Sequence, residues 1–243
     1  MIEDLISIHL AGVRCEQILD VGPGYAEFSR LSARTTGAHH ITFIDCDEGV
    51  LSWQEQRCKE VAIDSTSHKL FLDSASIGSI RDRFDLIHCQ EVLEHIPSPE
   101  QTLRALAGLL VPGGRIIITV PTRRSEVFLT WLNPSYMLNE PHGHVNQFDE
   151  RALRALVTNA GLSILAFHQA QPQYFIAHSW LVGTRMRLDG STGEVLSSGF
   201  RTFVFGNLVK YAHLFFRLTG ESWWSKLLPR NYFVVARSNA NPR

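Results

Sequence analysis

The sequence is short of cysteine, of long apolar runs and of net charge, and each shortage excludes a class of protein. The four cysteines form no Cys-x-x-Cys pair, so neither a disulfide framework nor a cysteine zinc site is expected. A formal net charge of -1 argues against a chain built around nucleic-acid phosphates. No apolar stretch approaches the ~20 residues that span a bilayer, and the N-terminal residues lack the pattern of a signal peptide. We expect a cytoplasmic protein that binds no nucleic acid.

The chain does contain a regular alternation of strand and helix patterns. At 243 residues it is long enough for one large domain with a full core. Strand patterns alternate with helical ones over the first 170 residues, which predicts a doubly wound α/β sheet. The predicted strands occupy residues 18–21, 41–44, 69–72, 84–88, 115–120, 162–167 and 232–236.

Glycine and polar residues follow four of these predicted strands. Gly22 and Gly24 follow the first strand, Asp45 the second, Asp73 the third and Gln90 the fourth. In open α/β sheets, ligands bind beyond the carboxyl ends of the strands. The sequence therefore predicts a ligand site at this edge of the sheet.

The spacing of these residues indicates the kind of ligand. A carboxylate at Asp45, about 20 residues after the glycine turn, suits a ribose diol. The third glycine of a dinucleotide fingerprint is replaced by Glu27, and no phosphate-binding P-loop is present. We expect an adenosine-like ligand without a phosphate chain, such as S-adenosylmethionine, and keep an NAD-linked reductase as an alternative.

Several ordered motifs carry a resemblance to a known family. They are DVGPG at 20–24, FDLIHCQEVLEHIP at 84–97, LVPGGR at 110–115 and GHVNQF at 143–148. Together they resemble the class I S-adenosylmethionine-dependent methyltransferases, in the ubiquinone-biosynthesis-like branch, over residues 15–170. The resemblance implies a seven-stranded Rossmann-like sheet in a single domain, 1–243, with an aromatic-rich helical insertion before the last strand.

The resemblance also implies S-adenosyl-L-methionine as cofactor and S-adenosyl-L-homocysteine as product. At the methionine end, Gly22 and Gly24 would pass beneath the cofactor and Asp20 would lie near its ammonium group. Gln90 would contact the methionine end or face the reaction centre.

The nucleoside end of the cofactor is expected beside the second and third strands. The resemblance implies that Asp45 holds the ribose and that Cys46 lies against the adenine face. Asp73 and Ser74 would contact the adenine edge.

Methyl transfer to a hydroxyl group gains from a base that removes the acceptor's proton. His95, His142 and His144 are the candidate bases, because histidine accepts a proton near neutral pH. No metal is expected. We predict O-methylation of a small or lipid-like acceptor; N- or C-methylation and a cofactor-binding partner protein without turnover are the alternatives.

Two segments are candidates for choosing the acceptor. Residues 121–148 are predicted to form a substrate-covering loop. Residues 171–230 hold eleven of the 24 aromatic residues, with seven Lys and Arg against three Asp and Glu. That segment is interpreted as a packing subdomain, as a lipophilic pocket or peripheral membrane contact, or as a homodimer interface.

Overall fold

The computed structural model describes residues 2–132, 143–172, 174 and 199–239. The first half of the described chain contains α1 (Ile2–Leu10), β1 (Gln17–Val21), α2 (Phe28–Thr36), β2 (His40–Asp45), α3 (Glu48–Glu60), β3 (Asp64–Lys69), α4 (Ser74–Gly78), β4 (Phe84–Gln90) and α5 (Pro99–Leu109). The second half contains β5 (Leu110–Pro121), α6 (Arg123–Leu132), α7 (Glu150–Asn159), β6 (Leu162–Ala170), α8 (Gly199–Thr219), α9 (Glu221–Leu227) and β7 (Asn231–Ser238).

The strands form one seven-stranded sheet in the order β3-β2-β1-β4-β5-β7-β6. β7 runs antiparallel to both of its neighbours, and the other pairs are parallel. The chain reverses its direction of travel across the sheet between β1 and β4, which creates a switch point there. The predicted doubly wound, seven-stranded α/β fold is confirmed.

Helices cover both faces of the sheet. One apolar cluster joins α4, α5 and α7 to the first face, and a second joins α1, α2 and α3 to the other. The central strands are buried on both sides: nearly every residue of β1 and β4, and the second half of β5, is buried.

The predicted third strand, at residues 69–72, is wrong. The strand is Asp64–Lys69, a polar segment that pairs with β2 at the edge of the described sheet. The apolar run that follows is a connection in which Phe71 is 76% exposed. Apolar runs indicate strands that are buried on both faces, and an edge strand does not need one.

The two segments expected to choose the acceptor both contain helices. Residues 121–148 include α6, and residues 171–230 include α8 and α9. In the described part of the chain, no helix combines the length and the apolar character needed to cross a membrane.

Candidate active site

Three of the predicted site residues lie in one row, at the carboxyl ends of the central strands β2, β1 and β4. The register of β1 with β2 and with β4 places Val21 beside the second-last residue of each neighbouring strand. The residues that come next, Gly22, Asp45 and Gln90, therefore lie abreast at the carboxyl ends of these strands. This row is at the switch point, where doubly wound sheets bind their ligands.

Gly22 has no room for a side chain. Its φ of +60° lies in the left-handed region, which L-residues other than glycine enter only with strain. A Cβ built on Gly22 would also lie 2.7 Å from Val92 Cγ2 and 3.3 Å from Leu72 Cδ1. Glycine is therefore required at the end of β1 both by the backbone conformation and by the close packing of Val92 and Leu72.

Gly24 is held in place by a buried glutamine of α3. The Gln54 side-chain amide donates hydrogen bonds to the carbonyl oxygens of Gly24, at 2.7 Å, and Ala26, at 3.0 Å. The amide oxygen of Gln54 accepts a hydrogen bond from the buried Arg30 guanidinium. These contacts fix the glycine turn between β1 and α2.

Two buried carboxyl groups flank this turn. Burial raises the pKa of Asp20 to about 7, an effect that the nearby Arg30 guanidinium opposes. Burial also raises the pKa of Asp45, whose carboxylate accepts a hydrogen bond from the backbone N–H of Asp47 at 2.9 Å. Each carboxylate would be stabilised by a ligand that brings hydrogen-bond donors or positive charge.

Gln90 has an amide oxygen without a partner among the described residues. Its side-chain nitrogen lies 2.7 Å from Nδ1 of His88, whose Nε2 lies 2.9 Å from the Ser32 hydroxyl. Burial lowers the pKa of His88 to about 3, so the ring is neutral. A neutral ring that accepts at Nδ1 donates at Nε2, and this chain of hydrogen bonds leaves the Gln90 oxygen as an unused acceptor.

Two of the residues expected at the adenine, Cys46 and Asp73, are exposed. Cys46 is exposed beside Asp45. Asp73 is exposed and begins α4, where its carboxylate accepts a hydrogen bond from the backbone N–H of Ser76 at 2.7 Å. This capping role holds one carboxylate oxygen of Asp73, and Ser74 is the first helical residue.

A buried histidine–glutamate–arginine group lies beyond the ends of β4 and β5. His144 Nδ1 donates a hydrogen bond to Glu126 Oε2 at 2.6 Å, and Arg230 donates to Glu126 Oε1 at 2.8 Å. Burial alone would raise the pKa of Glu126, but the hydrogen bond from His144 and the charge of Arg230 lower it below its ordinary value. The ionised Glu126 orients the imidazole so that Nε2 is its basic nitrogen.

His95 lies against this group. Its ring centroid is 4.7 Å from that of His144 in an edge-to-face arrangement, and its Nδ1 donates to the Gly143 carbonyl at 3.0 Å. The structure therefore brings together two of the three predicted bases. His142 lies outside the described residues.

The histidines are brought together by Asn146. Its side-chain nitrogen donates to the carbonyl oxygens of Leu93, at 3.1 Å, and Ile96, at 2.6 Å. The backbone N–H groups of Val145 and Asn146 donate to the carbonyl oxygen of Glu94. Residues 143–148 are thereby fixed to the turn that follows β4.

The Glu94 carboxylate is buried, and neither of its oxygens has a hydrogen-bond partner among the described residues. Burial raises its pKa well above the ordinary value, and the charge of Glu91 adds to this effect. Ligand atoms of Glu94, His95 and His144 lie within 4.8 Å of one another and could hold a metal ion. That this site holds no metal is still a prediction.

A cavity of about 440 Å³ opens elsewhere, at the β6 edge of the sheet. Its lining residues are Glu150, Arg154, Phe167, His168, Gln169 and Lys226. None of the predicted site residues is among them, so we base the site on the strand ends.

Comparison with known proteins decides the family. A family model described as a methyltransferase domain matches residues 9–166. The chain belongs to the class I S-adenosylmethionine-dependent methyltransferases.

The relatives of the chain include ubiquinone biosynthesis O-methyltransferases. One of them, from Aeromonas salmonicida (strain A449), is 32% identical over 126 residues, which are 52% of each chain. Another, from Marinobacter nauticus (strain ATCC 700491 / DSM 11845 / VT8), is 35% identical over 138 residues, 54% of each chain. The chain thus spans about half the length of these curated relatives.

Solved structures agree with the methyltransferase fold. The [4+2]-cyclase SpnF matches with a TM-score of 0.62 at 18% identity, over 99% of this chain and 80% of SpnF. The N-methyltransferase NodS from Bradyrhizobium japonicum WM9, in complex with S-adenosyl-L-homocysteine, matches with a TM-score of 0.57 at 14% identity, over 98% of this chain and 86% of NodS. At these identities the likeness shows the fold alone.

Three polar residues of this candidate site were not predicted from the sequence. Glu126, which orients His144, lies in α6, and Arg230, which donates to Glu126, lies in the connection before β7. Glu91 follows Gln90, has a φ of +55° and accepts hydrogen bonds from Thr119 and Asn231, both at 2.8 Å. The unusual backbone of Glu91 has no signal in the sequence, although the residue is part of the family motif.

Proposed function

We propose that this chain transfers a methyl group from S-adenosylmethionine to a hydroxyl group of a small or lipophilic acceptor. The observation that carries the proposal is the oriented pair of His144 and Glu126, in contact with His95 beyond the end of β4. Such a pair suits removal of a proton from an oxygen acceptor. The relatives named as ubiquinone biosynthesis O-methyltransferases support the same choice of atom.

The cofactor would occupy the row at the switch point. Gly22 offers backbone without a side chain, and the unpartnered oxygen of Gln90 offers an acceptor for the ammonium group. Asp45 would hold the ribose hydroxyls. Cys46 against the adenine face, and Asp73 with Ser74 at its edge, complete the proposed site.

The transfer itself would be an in-line displacement. Bound S-adenosylmethionine would supply the methyl group, with its sulfur as the leaving group when the acceptor oxygen takes the methyl carbon. His144, oriented by Glu126, would take the hydroxyl proton. Alignment of the acceptor with the methyl group supplies much of the rate of such a displacement. The turn at 91–96 is suited to aligning an acceptor, because residues 143–148 hold this turn in place.

Cofactor affinity should depend on pH through Asp20. A protonated Asp20 does not attract the ammonium group, and its pKa is about 7 in the free protein. Affinity should therefore fall as the pH drops below 7, by up to about tenfold per pH unit. Calorimetric titration with S-adenosylhomocysteine between pH 5.5 and 7 measures the effect. Asp20→Asn should bind weakly with little pH dependence; an equally steep dependence in that variant would contradict the assignment.

The proposed reaction is tested by turnover on a panel of acceptors. Methyl-labelled S-adenosylmethionine would be supplied with phenols and alcohols, with amines and with carbon nucleophiles, and the product analysed by mass spectrometry. O-methylated products support the proposal, whereas N- or C-methylated products alone would replace it. Cofactor binding without product on an extended panel would instead favour a partner protein without turnover.

A further inference from the structure

An exposed apolar stripe runs along α8. Tyr211, Leu214, Phe215 and Leu218 are exposed by 63%, 52%, 51% and 76%. Their spacing of three, four and seven residues places them on one side of the helix. Phe216 points to the opposite side and is buried. We call these four exposed residues the α8 stripe.

The next helix adds further exposed apolar surface. Trp223 and Leu227 of α9 are four residues apart and are 59% and 41% exposed. The Trp223 ring lies edge-on to that of Trp224, with 4.7 Å between centroids, and Trp224 contacts both Phe215 and Phe216. The aromatic contacts therefore join α9 to α8.

The charges around the stripe are mostly positive. Lys210 and Arg217 are exposed and lie two helical turns apart on the same side of α8, next to the stripe. Lys226 is exposed on α9. The sequence of α8 contains no Asp or Glu, and that of α9 contains only Glu221. This surplus stands out in a chain whose net charge is -1.

We propose that α8 and α9 dock onto an anionic lipid surface, with the α8 stripe at the boundary between headgroups and acyl chains. Amphipathic helices with aromatic and aliphatic residues on one side and flanking Lys or Arg bind membranes in this orientation. Tyr and Trp favour the interface because their rings are apolar and their tips are polar. Lys210 and Lys226 would face the lipid phosphates. The proposal goes beyond methyl transfer and does not depend on it.

The test is cosedimentation of the full chain with vesicles. Vesicles of phosphatidylcholine with phosphatidylglycerol should pellet the protein at low salt, and pure phosphatidylcholine should pellet far less. Leu214→Glu with Leu218→Glu should weaken binding at least tenfold, because the apolar contact is lost. Lys210→Ala with Lys226→Ala should weaken binding to anionic vesicles roughly tenfold. Arg217 is kept, because its charge interacts with Asp4 of α1.

Val61→Glu provides the control, since Val61 is a 43% exposed apolar residue outside this surface; it should bind like the wild type. Circular dichroism and S-adenosylhomocysteine binding confirm that each variant is folded. If the wild type fails to pellet with anionic vesicles at low salt, or if both double variants pellet like the wild type, the proposal is wrong. A wild-type dimer in sedimentation velocity that Leu214→Glu with Leu218→Glu makes monomeric, without vesicle binding, would assign the surface to a second copy.

Discussion

Replacing Gly22 with alanine should weaken cofactor binding strongly and destabilise the protein, whereas the same change at Gly24 should lower the free energy of unfolding through backbone strain alone. Both glycines have positive φ, +60° and +51°, so each alanine is strained by about 1–2 kcal/mol. Only at Gly22 does the new methyl group meet another side chain, at 2.7 Å from Val92 Cγ2. Overpacking of this kind costs about 1–3 kcal/mol more. Urea unfolding of the two variants measures the difference.

The contact of the new methyl group with Val92 should also reduce turnover. Val92 belongs to the turn that carries Glu94 and His95. Displacing Val92 therefore shifts the candidate base His95 as well as the backbone at which the cofactor is proposed to bind. Gly22→Ala should therefore lose at least a hundredfold in kcat/KM. A Cβ at Gly24 meets no protein atom within 4 Å, so any loss of cofactor binding in Gly24→Ala reports how closely the cofactor approaches that residue.

A double variant separates the collision from the strain. Val92→Ala removes the methyl group that Gly22→Ala would strike, so adding it to Gly22→Ala should restore part of the lost stability. The coupling free energy from the double-mutant cycle should be favourable and at least about 1 kcal/mol. Purely additive effects would show that the packing at Gly22 does not explain its requirement for glycine.

The row of Gly22, Asp45 and Gln90 at the strand ends was predictable from the sequence because it depends on a rule of topology. Parallel strands place their carboxyl ends at one edge of the sheet, so Gly22, Asp45 and Gln90 had to lie near one another once their strands were recognised. The third strand was misplaced because its residues are polar. Its neighbour Phe71 belongs to an apolar run but is mostly exposed, and hydrophobic pattern alone does not distinguish such a connection from a strand.

The group around Glu126 was not predictable in the same way. Glu126 and Arg230 are 104 residues apart, and His144 reaches Glu126 from a segment without regular structure. No periodicity or motif links these residues, since their contact is created by the packing of α6 against the chain before β7. Asn146 likewise holds its loop to the turn after β4 by donating to the carbonyl oxygens of Leu93 and Ile96, which are about 50 residues away in sequence. Such tertiary contacts appear only when the chain is folded.

Removing the proposed base should reduce turnover far more than binding. His144→Ala should lower kcat by about 10²- to 10⁴-fold, the usual contribution of a general base, with S-adenosylhomocysteine affinity within a few-fold of the wild type. His95→Ala should also lower kcat, because the two rings are in contact. His39→Ala is the matched control, since His39 is exposed on the surface. If both His144→Ala and His95→Ala keep near-wild-type turnover while binding cofactor, neither residue is the base.

Glu126 is expected to act through His144. In Glu126→Gln the amide oxygen can still accept from Nδ1, but the negative charge that stabilises the protonated imidazole is lost. The variant should therefore lower kcat by about 10- to 100-fold with little change in KM. A double variant with His144→Ala should be no slower than His144→Ala alone, because residues that act as a unit are not additive.

EDTA treatment distinguishes a histidine base from a metal ion held by Glu94, His95 and His144. We expect turnover to be unchanged by EDTA; a loss that Mg²⁺ or Zn²⁺ restores would make the histidines ligands, because the lone pair of an imidazole nitrogen that holds a cation cannot accept a proton.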